Sequence, residues 1–266
     1  MAADKRMTRR FCAQDAVQES ATFLQGICVA VSRRSPDKST DNEDSCLFMQ
    51  LGERSGVLAI ADGAGGHVAG KEASKIALDE LQRELTAAGQ IEELRAPILN
   101  AFEAANALLL AEGRGAATTL VVVEIQGNSI RHYHVGDSSA IVVGQRGAVR
   151  LQTVQQSLVG YGIEAGFLHT DAALDHAERH IVLSMVGTAD MRVEIGAPLV
   201  LKRFDTLLVC SDGLTDNVGV ADIVERVRKG KLDFSLAGLQ QLAEKNMQLP
   251  NGHPDDLTML MYRRAQ

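Results

Sequence analysis

The sequence predicts an α+β fold built on antiparallel sheet, and three observations carry this. Runs of strand length and runs of helical period follow one another in the order strands, two helices, strands, two helices, strand. Two pairs of apolar runs are separated only by residues 126–129 and 144–147, and connections so short force antiparallel pairing, since a parallel crossover needs about a dozen residues. No repeat or linker interrupts the 266 residues, a length that suits one domain with ample core and no need of disulfide or metal staples.

Taken in order, residues 1–20 are polar and are expected to form a mobile tail, with the domain at 21–266. The run LQGICVAV at 24–31 reads as a strand and the polar 32–44 as a loop. Two strands follow at 45–51 and 56–61, split by Gly52-Glu53-Arg54. The glycine cluster Gly63, Gly65, Gly66 and Gly70 is one that a regular strand would not tolerate. Ala73, Ile76, Ala77, Leu81, Leu85 and Ala88 then fall at spacings of three and four, one face of an amphipathic helix. Ile91, Leu94, Ile98, Phe102, Ala105 and Leu108 repeat the pattern after Gly89, with Pro97 kinking this second helix or lying in its first turns and Gly113 and Gly115 closing it. The period then changes to that of hairpin strands at 118–125 with 130–135 and at 140–143 with 148–151. Residues 154–180, rich in Gly and His, are expected to be a helical or flap-like insertion. Strands at 199–201 and 206–210, helices at 221–228 and 236–245, and a strand at 257–262 complete the chain.

Composition narrows the function classes. Asp and Glu number 34 against 27 Lys and Arg, a net charge of −7, with 45% apolar residues and no Trp, which is ordinary globular composition. An acidic chain argues against nucleic acid as partner, because backbone phosphates need a basic patch. No apolar run approaches the roughly 18 residues of a membrane span, so no membrane partner is expected. Residues 1–10 are basic, but no apolar stretch follows, so a signal peptide is not expected. Among Cys12, Cys28, Cys46 and Cys210 there is no C-x-x-C pair, which removes zinc-ribbon and thioredoxin-like readings. Cys28, Cys46 and Cys210 sit in apolar runs as reduced thiols, so a cytoplasmic location is expected.

The chemistry lies in where the aspartates fall. Asp44 precedes the strand at 45–51, Asp62 ends the strand at 56–61, Asp137 follows 130–135, Asp212 follows 206–210, and Asp255 opens the last strand. A turn role accounts for any one of them. Five at strand ends in apolar flanks can be aimed by a sheet at one point, and a carboxylate cluster without His or Cys suits a hard cation such as Mg²⁺ or Mn²⁺.

These residues form a pattern. Asn42-Glu43-Asp44, Ala61-Asp62-Gly63-Ala64-Gly65-Gly66-His67, Val135-Gly136-Asp137-Ser138, Cys210-Ser211-Asp212-Gly213-Leu214-Thr215-Asp216 and Pro254-Asp255-Asp256-Leu257-Thr258 resemble, in order and spacing, the motifs of metal-dependent serine/threonine protein phosphatases of the PPM (type 2C) family, bacterial-type. The resemblance runs over about 25–263. It implies a four-layer αββα sandwich of two central antiparallel sheets flanked by helices. It also implies two Mn²⁺ or Mg²⁺ ions, bridged by a water that attacks phosphoserine or phosphothreonine of a protein substrate. By motif match Asp62 bridges both ions, Asp212 and Asp255 complete one, Glu43 and the Gly63 carbonyl serve the other, and Asp44 holds metal-bound water. Asp137 and Asp216, with Asp212, match positions that can hold a third ion. The substrate implied is a phosphoprotein, such as one that a serine/threonine kinase modifies.

The chain departs from the family at three places. Ser39 stands where many members have a phosphate-holding Arg, so Lys38, Arg33 or Arg34 of the same loop are candidate substitutes, although a lysine is a point charge and not a bidentate fork. Ala64 stands where some members have a His, which leaves His67 as the candidate general acid, against the alternative that it caps the following helix. Asp256 replaces the usual Asn and should add negative charge near the metals. Two other motifs fail on inspection. Gly65-Gly66-His67-Val68-Ala69-Gly70-Lys71-Glu72 lacks the Ser or Thr that ends a P-loop, and the segment from His176 to His180 reads His-Ala-Glu-Arg-His, not H-E-x-x-H. The apolar run 181–186 is expected to be core. The leading function is therefore a phosphoprotein phosphatase. The alternatives are a catalytically weak relative that binds a phosphoprotein without turning it over, and a zinc hydrolase on His176 and His180.

Overall fold

The computed structural model describes residues 7–64, 68–89, 93–169 and 176–264. One sheet runs in the order β1 (Thr8–Cys12), β4 (Ser45–Gln50), β5 (Ser55–Ala61), β8 (Leu120–Gln126), β9 (Ser129–Val135), β12 (Glu194–Ile195), and β13 (Leu199–Val200) also pairs with β9. The other runs β11 (Val149–Gln152), β10 (Ser139–Val143), β14 (Thr206–Cys210), β15 (Leu257–Arg264), β3 (Gly26–Arg33), β2 (Val17–Phe23). A short ribbon joins β6 (Gly63–Ala64) to β7 (Ala117–Thr118). Every pairing is antiparallel. The helices are α1 (Val68–Ala88), α2 (Arg95–Glu112), α3 (Leu158–Glu164), α4 (Asp212–Thr215), α5 (Val220–Val227) and α6 (Leu232–Met247).

Side-chain alternation builds four layers from these elements. Leu47, Met49, Val57, Ala59, Leu120 and Val122 face outward onto Ala77, Leu81, Leu85, Ile98 and Phe102 of α1 and α2. Their neighbours Cys46, Phe48, Leu58, Ile60, Val121 and Val123 face inward, where they meet Cys28, Ala30, Ala140, Val142, Leu207, Val209 and Leu260 of the second sheet. That sheet's other face, with Val29, Val31, Ile141, Leu208 and Met259, packs on Ile223, Val227, Leu236 and Leu239 of α5 and α6. Antiparallel strands usually have one wet face, but here both faces are covered, which is why they read as unbroken apolar runs. A one-residue slip would exchange the two cores, so register is tightly specified. Phe23 anchors the middle layer, edge-on to Phe48 at 5.6 Å and to Tyr262 at 5.9 Å.

The four-layer architecture agrees with the expectation, and several boundaries move. Residues 8–20, expected in a tail, form β1 and most of β2, edge strands held by backbone pairing to β4 and β3. An edge strand needs only partial burial, and β2 buries Val17 and Phe23 while exposing Gln18 and Ser20, so no apolar run announces it. Residues 24 and 25 lie in the β2–β3 turn, α1 begins five residues before Ala73, and α2 buries Leu109, not Leu108, beyond Pro97 in its first turn. Within 154–180 lies the short α3, capped by Ser157, whose Oγ accepts from Gly160 N at 3.0 Å. Of the run at 181–186 only Val186 is fully buried core, while Leu183 is 47% exposed.

Candidate metal centre

The topology brings the acids together. Ser45 pairs with Ala61 in the first sheet, so Asp44 and Asp62 emerge at the same edge. Ser139 pairs with Cys210, and Cys210 with Met259, so Asp137, Asp212 and Asp255 emerge beside one another from the second sheet. Their mutual repulsion shows that the two groups converge. Burial raises the Asp62 carboxyl far above the ordinary range, and the charges of Asp44, Asp212, Asp255 and Asp137 push the same way. Burial, then Asp212, takes Asp137 to about 8. Asp44 is raised to about 7 by burial and by Asp256. Burial, then Asp216, does the same for Asp212. Burial also lifts Asp216 to about 7, against the pull of Arg179. Asp255 is exposed at the rim, yet desolvation on its inner side and Asp212 carry it to about 7.

Neutral hydroxyls and amides hold these residues, mostly through their backbone. Ser211 Oγ donates to Asp44 Oδ2 at 2.8 Å, and Asp44 N donates to Asn42 Oδ1 at 2.9 Å. Asp62 N donates to Thr119 Oγ1 at 3.0 Å, and Thr118 Oγ1 donates to the Asp62 carbonyl at 2.8 Å. Thr119 in turn shares a 2.7 Å hydrogen bond with Ser138 beside Asp137. Gly63 and Gly70 must be glycine, because a Cβ on Gly63 would stand 2.1 Å from the Gly70 carbonyl oxygen.

Two cations flank the acids. Lys38 Nζ contacts Glu43 Oε2 and lies 2.7 Å from Asp256 Oδ2. Arg179, 8% exposed, pairs with Asp216 Oδ2 and its carbonyl, both at 3.2 Å. Asp256, expected to add negative charge near the metals, is 2% exposed and its carboxylate is satisfied: it accepts from Ser35 N at 2.8 Å, Glu43 N at 2.7 Å and Lys38. Arg33 ends β3 half-buried, and Ser39 is exposed. His67, the candidate acid, lies outside the described residues. His176 Nδ1 accepts from Glu178 N at 3.2 Å, and His180 is exposed.

The donor set fits a hard divalent cation. Glu43 Oε1, Asp44 Oδ1 and Asp212 Oδ1 are buried oxygens without a hydrogen-bond partner. Buried carboxylate oxygens normally have one, and these three belong to the acids that the motif match assigns to metal. As the structure stands, no group of three or more His, Cys, Asp or Glu among the described residues is arranged to hold an ion. Lys38 meets Glu43 through Oε2, so Oε1 is left without a partner. Ser211, Thr119, Asp256 and Arg179 are the supporting residues that motif reasoning did not single out as such. Thr118-Thr119 and Ser138 were visible as polar breaks in apolar runs, whereas Arg179 carried no such signal.

Comparison with known proteins gives the same picture. The family model for Protein phosphatase 2C matches residues 33–247. The serine/threonine phosphatase stp of Listeria innocua serovar 6a is 30% identical over 233 residues, covering 84% of this chain and 90% of that protein. The serine/threonine phosphatase Stp1 from Staphylococcus aureus superposes with a TM-score of 0.79 at 28% identity, over 95% of this chain and 100% of that one. The catalytic domain of the serine threonine protein phosphatase PstP, solved in complex with two manganese ions, superposes with a TM-score of 0.73 at 26% identity, over 89% of this chain and 96% of that one. The chain belongs to the protein phosphatase 2C family. No described helix is long and apolar enough to cross a membrane.

Proposed function

We propose that this chain is a protein serine/threonine phosphatase that hydrolyses phosphoserine and phosphothreonine with a pair of Mn²⁺ or Mg²⁺ ions. The observation that carries the reading is the convergence of Asp44, Asp62, Asp137, Asp212 and Asp255 from two sheets onto one edge, with three buried carboxylate oxygens unpartnered. Asp62, Asp212 and Asp255 would hold one ion and Asp62, Glu43 and the Gly63 carbonyl the other, with Asp137 and Asp216 beside Asp212 available to a third. When bound, such ions supply positive charge that lowers the pKa of water and offsets the charge of the phosphoryl oxygens. Asp44, with Oδ2 held by Ser211 and Oδ1 free, orients a water. Arg33, at the end of β3, would be the cation that meets substrate phosphate, and His67 is the sequence's candidate for returning a proton to the leaving oxygen. The substrate would be a phosphoprotein, as the names of the relatives suggest, and the setting would be the cytoplasm.

Calorimetric titration with Mn²⁺ tests the site. Two ions per chain are expected, falling to one or none in Asp62→Asn. Failure of the wild-type chain to bind Mn²⁺ at millimolar concentration would sink the reading. Tight phosphopeptide binding without product would favour a non-catalytic binder.

A further inference from the structure

Lys38 stands in the loop where a phosphate-binding cation is sought, yet its ammonium does not face open solvent. Its side chain is 19% exposed, and its Nζ is shared between Glu43 Oε2 and Asp256 Oδ2. Asp256 is the hub of the arrangement. Its Oδ1 accepts from Ser35 N, and its Oδ2 accepts from Glu43 N and Lys38 Nζ, three donors from one loop taken by one carboxylate at the start of β15. The loop runs from the end of β3 to the start of β4, so Asp256 staples it to the second sheet at both of its ends. The outcome at Glu43 is specific: backbone N and Oε2 are tied down, while Oε1 is buried with no partner.

We infer that Lys38 and Asp256 are positioning residues, a buried ion pair that holds the 35–43 loop and fixes Glu43 so that Oε1 is presented to a cation. Lys38 is then not a ligand of substrate phosphate, which leaves that role to another group at the rim. A point charge that meets two carboxylates cannot turn to a phosphate without uncovering both, and an uncompensated carboxylate as buried as Asp256 is strongly disfavoured. The negative charge of Asp256 and the lysine in the loop thus explain one another. The inference rests on the metal reading for what Glu43 does, but not for the ion pair itself.

Full-length chains carrying Lys38→Met, Lys38→Arg, Asp256→Asn, and Lys38→Met with Asp256→Asn test it by three readouts. In Mn²⁺ calorimetry, Lys38→Met and Asp256→Asn are each expected to weaken binding by about 10-fold, as lost supporting partners of a ligand do. Lys38→Arg should hold the affinity near wild type. The double substitution should be no worse than the worse single one, because both act through one loop. Inhibition of phosphopeptide turnover by inorganic phosphate should stay within about twofold in Lys38→Met. In thermal melting without metal, each single loss should lower the midpoint by about 5 °C, with the double well short of the sum. A 10-fold weaker phosphate inhibition with unchanged Mn²⁺ affinity would make Lys38 a phosphate ligand and overturn the inference. Strictly additive melting shifts would overturn the ion pair. A wild-type chain that binds no Mn²⁺ refutes the proposed function and not the pair, which the melting arm reads alone.

Discussion

Replacing Gly70 by alanine is a perturbation whose size can be read from the structure. A Cβ there would stand 2.5 Å from Glu43 Oε1, 2.7 Å from the Gly63 carbonyl oxygen and 2.8 Å from the Gly63 carbonyl carbon. Two of these neighbours are backbone, in the ribbon that Gly63 and Ala64 form with Ala117 and Thr118, and cannot swing aside as a flexible side chain can. The third is the free oxygen of Glu43, whose other oxygen and backbone N are already held by Lys38 and Asp256. Relief therefore requires α1 to move away from β6, or Glu43 to leave its place. Overpacking of this kind costs about 1–3 kcal/mol, and in a chain of this size each kcal/mol lowers the melting temperature by about 2–4 °C. A midpoint lower by roughly 2–12 °C is expected, together with weaker Mn²⁺ binding, since Glu43 Oε1 and the Gly63 carbonyl are both displaced. Differential scanning calorimetry with and without Mn²⁺ reads both effects. An alanine variant with wild-type melting and wild-type Mn²⁺ affinity would refute the argument that α1, β6 and Glu43 are closed on one another around Gly70.

Further expectations concern the acids and the core. Asp212→Asn should abolish most turnover while melting cooperatively, and near-wild-type turnover in such a folded chain would remove Asp212 from the site. The raised carboxyls mean that the folded chain binds more protons than the unfolded one between the ordinary carboxylate range and about 7–8. Without metal, stability should therefore fall as pH rises. Burial lowers His132 to about 4 and also lowers His134, which opposes the trend below about pH 6.5. The net loss should thus appear between about pH 6.5 and 8 in chelator and flatten when Mn²⁺ is added; melting that rises with pH in chelator would contradict it. Phe23→Ala should cost about 3–5 kcal/mol, because it empties the junction of Phe48 and Tyr262 between the sheets. Urea unfolding with an unchanged midpoint would contradict that packing.

What the sequence made legible follows from how each part is encoded. The strands that fill the three cores announce themselves, because being covered on both faces demands unbroken runs such as Val57–Ala61. The site acids were legible by the same route, since an aspartate at the end of such a run is conspicuous. β1 and β2 were not, because an edge strand is specified by hydrogen bonds to its neighbour and needs few apolar side chains. The partners of the acids were hidden for a different reason. Lys38 meets Asp256 across 218 residues of sequence, and Arg179 meets Asp216 from a segment with no periodicity, so only the folded topology brings them together. Lys38 was, with Arg33 and Arg34, one of three candidate phosphate ligands in that loop, and its two carboxylate partners are visible only in the folded chain.

The central claim is that this acidic edge is a metal-dependent centre for phosphoester hydrolysis. Release of inorganic phosphate from a phosphothreonine peptide, measured with Mn²⁺ and again after a chelator, tests it most directly. The account predicts release with Mn²⁺, abolished by the chelator and restored by excess Mn²⁺. Release that persists unchanged in chelator, or none in Mn²⁺ from a chain that binds the ion, would contradict it.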